Sequence, residues 1–141
     1  MEILINDSRV ISEIQSDFSK EFPFLKIEFF DAPYSEKKAL PKSKIFSNDK
    51  KLGSCRRMHN TGRLQITGSS TVSSVESEFW KKFGLSVQVF RKSGNLWIET
   101  SLTDSWTLEQ QNREGLELSK THRNAYKEAE ERDLTDRDKW E

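Results

Sequence analysis

The sequence predicts an α+β fold made of two βαβ units, the second extended by a hairpin. Three observations predict it. The apolar residues gather in two blocks: residues 1–30 and 64–102 each hold 13 of the 34 Leu, Ile, Val and Phe side chains. The two blocks resemble each other. Ser12 and Ser73, Phe18 and Phe79, Lys20 and Lys81, and Phe22 and Phe83 are all 61 positions apart, and Phe30 and Phe90 are 60 apart. Within each block a period-two pattern gives way to a helical stripe and then returns.

Ile3 and Ile5 alternate with outward positions and read as a first strand. Asp7 or Ser8 can cap the helix that follows, because a short oxygen-bearing side chain accepts from the free N–H groups of a first turn. Ile11, Ile14, Phe18 and Phe22 then fall on one helical face. Pro23 stops that helix, since it has no N–H and disfavours a helical residue before it. Leu25, Ile27 and Phe29 form the second strand.

The second copy repeats the scheme. Leu64 and Ile66 make a strand, and Ser69, Ser70 or Thr71 caps. Val72, Val75, Phe79 and Phe83 are the stripe, Gly84 the stop, and Leu85, Val87 and Val89 the next strand. A polar turn then separates Phe90 from Leu96 and Trp97, a hairpin signal. Pairing Lys92 with Asn95 sets Val89 against Ile98 on the core side and Phe90 against Trp97 on the other. The simplest closure of these elements is a ferredoxin-like two-layer sandwich, one sheet packed on two helices.

With 141 residues, 33% of them hydrophobic and 33% charged, the chain fits one domain plus a polar extension. The domain is expected over 1–102: repeat 1 at 1–30, a basic insert at 31–63, and repeat 2 with the hairpin at 64–102. Residues 103–141 read as a polar C-terminal helix or tail, with Thr103 or Asp104 as the cap and disorder expected beyond about residue 120. No apolar run has the length of a membrane span, and the start MEILINDSR lacks the pattern of a secretory signal. A cytoplasmic setting is expected.

Zero net charge conceals a division. Residues 36–63 carry +7, whereas residues 1–35 and 101–141 each carry −4. Lys37, Lys38, Lys42, Lys44, Lys50, Lys51, Arg56 and Arg57 lie in the basic insert and are candidate phosphate contacts for nucleic acid. The plain alternative is a solvated loop, or one folded against the acidic tail. The central strands expected of an RNA-recognition domain hold no aromatic residue here, which disfavours base stacking of that kind.

Chemistry is sparse. Cys55 and His59 have Cys-x3-His spacing, but His122 is the one further histidine, so neither metal nor cofactor is expected. Arg56 and Arg57 would lower the pKa of a Cys55 nucleophile, yet no base and orienting partner can be named. Glu76, Glu78 and Glu99 are carboxylates of the kind helix surfaces and hairpins carry routinely. No glycine-rich phosphate loop is present, and no enzymatic activity is expected.

The hairpin offers more. Gln88, Phe90, Trp97 and Glu99 are expected to share its outer face, rimmed by Arg91, Lys92 and Asn95. Aromatics enclosed by polar groups suit an interface anchor. The competing reading has Trp106 and Leu108 fold back as a cover. The stretch VQVFRKSGNLWIET at 87–100, followed by TDSWTLEQQN at 103–112, resembles a family of small bacterial proteins without an established activity. That resemblance implies a bacterial, cytoplasmic protein and brings no site residue with it. The expectation is therefore a non-enzymatic interaction module that binds a protein partner or a second copy through the hairpin face, with nucleic-acid binding by the insert as the alternative.

Overall fold

The computed structural model describes residues 1–120. It is α+β: β1 (Glu2–Ile5), α1 (Ile11–Glu21), β2 (Leu25–Phe29), β3 (Gly62–Gln65), α2 (Val72–Phe83), β4 (Val87–Ser93) and β5 (Leu96–Glu99) follow in order. Residues 108–120 form a third helix, α3. The strands divide between two antiparallel sheets, β1–β3 and β2–β4–β5, where the sequence pattern predicts one. β1 pairs with β3, Ile3 opposite Leu64, and β2 with β4, Ile27 opposite Val89. The helices pack on these sheets, α1 against β2 and α2 against β4. One core joins the layers, with Phe18, Phe29 and Phe79 fully buried in it.

α2 is as the sequence predicts. Thr71 Oγ1 accepts from the Ser74 amide, and Gly84 closes the helix in a left-handed conformation. α1 begins later than Asp7 or Ser8 would place it. Asn6 Oδ1 takes the Ser8 and Arg9 amides in a turn, and Glu13 reaches back to the Val10 N–H. Asp7 is engaged elsewhere. α3 also starts later than expected: Thr107 and Gln110 form a reciprocal capping box, at 3.1 and 2.9 Å. Leu108 then enters the core, and Asn112 Oδ1 accepts from the Phe24 amide. The expectation of disorder beyond residue 120, and His122 with it, lies outside the described residues.

The hairpin register differs from expectation by two residues. Ser93 pairs with Leu96, Lys92 with Trp97 and Phe90 with Glu99, so the turn is Gly94-Asn95, with Gly94 at φ +64°. A glycine in the first central position accepts the positive φ that two-residue hairpin turns demand. Because the slip is even, Phe90, Trp97 and Glu99 keep their shared face, while Arg91, expected at its rim, pairs with Ile98 on the other face, where Ile98 is exposed rather than buried.

Candidate functional site

The outer face of the β2–β4–β5 sheet carries Lys26, Glu28, Gln88, Phe90, Lys92, Trp97 and Glu99. Arg91 lies on the opposite face, and Asn95 is exposed at the turn. The insert roofs part of this surface. Gln88 Nε2 donates to the Lys38 carbonyl, its Oε1 accepts from the Leu40 amide, and Phe90 stacks on Phe30 at 6.5 Å. Gln88 and Phe90 are therefore buried, Phe90 to 4% exposure. Lys26 Nζ lies over both Phe90 and Trp97, and Lys92 Nζ over Trp97. Trp97 is half-buried at the margin of the roof. The cover comes from the insert over Gln88 and from Phe30 over Phe90, and not from Trp106 or Leu108. Trp106 lies beneath the Arg91 guanidinium on the other side, where Arg91 Nη1 donates to Gln111 Oε1 at 2.8 Å.

What remains open is the β5 edge. β5 is outermost in its sheet. Leu96 is 65% exposed, Ile98 is exposed, and Leu102 just beyond is 94% exposed. The Lys92 N–H donates to the Phe24 carbonyl, just ahead of β2, so by alternation Leu96 and Ile98 bond to β4 while the backbone groups of Trp97 and Glu99 point outward.

The eight candidate phosphate contacts of the insert part company. Lys37, Lys38, Lys42, Lys44, Lys50, Lys51 and Arg57 are exposed. Arg56 is buried and fully occupied: it donates to Asp7 Oδ1 at 2.8 and 3.0 Å, to the Asn60 carbonyl at 2.8 Å and to the Phe83 carbonyl at 3.1 Å. That guanidinium, with His59 at 2.9 Å, holds the Asp7 carboxyl below its ordinary range. Lys50, Arg57 and Lys81 border a groove of about 970 Å³ with Phe46, Met58 and Trp80. Cys55 also lines it. Burial pushes the Cys55 thiol up, against the lowering expected from its arginine neighbours.

One of the carboxylates expected on a helix surface is not there. Glu76 is buried behind β4, and its Oε2 accepts from the Val89 amide at 2.9 Å. Burial, reinforced by Asp104 and Glu99, pushes its pKa up to about 8. Position 76 belongs to the helical stripe 72, 75, 76, 79 and 83, which is the signal that it faces inward. Tyr34, from the insert, is pushed up to about 12 by burial and by the carboxylates of Glu76, Glu36 and Asp104. Among the described residues no cluster of His, Cys, Asp and Glu could hold a metal ion, and no helix is long and apolar enough to cross a membrane. No family model, curated protein or solved structure matches this chain.

Proposed function

We propose that the protein is a non-enzymatic interaction module that recognises a protein partner along its hairpin. The observation that carries this reading is the β5 edge, which combines outward backbone groups at Trp97 and Glu99 with exposed Leu96, Ile98 and Leu102. Folded proteins usually blunt such an edge with charge, proline or a cover. An edge strand of this kind can take a partner strand: main-chain hydrogen bonds supply affinity and alternate side chains supply selectivity. Relative to the expected patch, the usable surface moves outward from Gln88 and Phe90 to Trp97 and the strand beside it. The test is affinity capture from a bacterial lysate by the full chain and by its Trp97→Ala and Ile98→Lys variants. Proteins retained by the wild type and lost by both variants support the reading; identical capture by all three overturns it.

The groove favours a second reading. Lys50, Arg57 and Lys81 beside Phe46 and Trp80 combine cations with stacking surfaces, as single-stranded nucleic acid requires. Oligonucleotide binding that weakens steeply with salt, and is reduced by Arg57→Ala, would favour it; affinity indifferent to both would remove it.

A further inference from the structure

We infer that the occupant of the β5 edge is a second copy of this chain, paired antiparallel about a two-fold axis at Ile98; this rests on the interaction reading above. The backbone groups of Trp97 and Glu99 both point away from β4. An axis at Ile98 sets Trp97 of each copy opposite Glu99 of the other, so both outward-facing residues find hydrogen-bonding partners. The two three-stranded sheets become one of six strands.

Charge selects this register over its symmetric neighbours. Trp97 carries the Lys26 and Lys92 ammonium groups, 5.1 and 6.0 Å from its ring. An axis at Trp97 would face this cationic cluster with its own copy. An axis at Glu99 would face one carboxylate with another. Like charges directly opposite destabilise a strand pair. An axis at Ile98 brings each carboxylate beside the other copy's lysines, on one face of the joint sheet. On the other face the two Ile98 side chains meet in a non-hydrogen-bonded pair, the closer type of cross-strand contact. Leu96 of one copy then lies opposite Thr100 of the other, two residues short of the exposed Leu102.

Two measurements test the pairing. Sedimentation of the full chain should show a dimer that grows with concentration. Ile98→Lys should be monomeric yet still unfold cooperatively, at a midpoint independent of concentration and matching the wild type only at dilutions where that too is monomeric. In a Cys55→Ser background, Ile98→Cys should link covalently under oxidised glutathione. The separation across a non-hydrogen-bonded pair suits a disulfide. Leu96→Cys should not link, because the two copies of that residue lie on opposite sides of the axis. A wild type that stays monomeric, or equal linking by both cysteine variants, overturns the pairing. If the wild type is monomeric and lysate capture is still lost in Ile98→Lys, the second copy falls as occupant and the interaction reading survives; loss of both results removes both.

Discussion

Glu76 accepts a 2.9 Å hydrogen bond from the Val89 amide, at the point where β5 has ended and β4 has not. On the same residue, the Val89 carbonyl accepts from Thr100 Oγ1 at 2.8 Å. Two side chains thus complete the ladder where the strand leaves off, satisfying a buried donor and acceptor. Burial keeps the carboxyl protonated at neutral pH, pushing its pKa up to about 8 against the downward pull of the Val89 bond.

The sign of the resulting pH dependence follows. A folded-state pKa raised above the unfolded value gives stability that is complete below pH 4.5 and is lost as pH rises through 8. Across that window this group should lower stability by roughly 1.4 kcal/mol per pH unit. Glu76→Gln keeps an acceptor for Val89 and removes the proton. Denaturant unfolding between pH 5 and 9 should show a flatter profile in the variant, and greater stability than wild type at pH 9.

Phe90 and Trp97 should separate on truncation. Phe90 is buried between the sheet and Phe30, so Phe90→Ala should cost about 3–5 kcal/mol. Trp97 is half-buried at the sheet margin, and Trp97→Ala should cost roughly 1 kcal/mol. Thermal unfolding of the two variants checks this. It also decides which of them can be used to probe binding in a folded protein.

Arg56 and Arg57 are adjacent and should behave oppositely. Arg56→Ala leaves Asp7 and the Asn60 and Phe83 carbonyls without their donor, and should cost about 3 kcal/mol. Arg57→Ala removes an exposed side chain and should change stability by less than about 0.5 kcal/mol. Chemical denaturation of both variants reads the contrast. Any loss of oligonucleotide affinity in the second is then free of a folding artefact.

Cys55 should alkylate slowly at neutral pH. Its thiol is pushed up by burial and donates to the Lys51 carbonyl at 3.4 Å. The reactive species is the thiolate, so the rate with iodoacetamide should fall below that of free cysteine and recover in denaturant.

α2 could be read from the sequence because its determinants are local: an apolar stripe, a threonine cap and a terminal glycine. The start of α1 could not, because Asp7 is drawn away by Arg56, 49 residues along the chain. The faces of the hairpin survived a wrong turn position, since alternation constrains parity more firmly than register. The roof over Gln88 left little trace in composition. It is secured largely by backbone groups of Lys38 and Leu40, which any residue type supplies. Glu76 was legible by position and obscured by type, since buried carboxylates are rare.

Gly115 meets the Phe24 turn so closely that an added Cβ would lie 2.8 Å from Phe24 Cβ, and α3 holds that turn through Asn112. The turn from α2 into β4 at Gly84 is packed by Met58 of the insert. The insert and α3 therefore divide a task, each bracing one helix-to-strand corner. The strands and the first two helices alone are not the cooperative folding unit. A chain cut after the hairpin would leave Leu108 missing from the core and the first corner unbraced. Such a fragment should unfold in stages, with the first half loosening before the second.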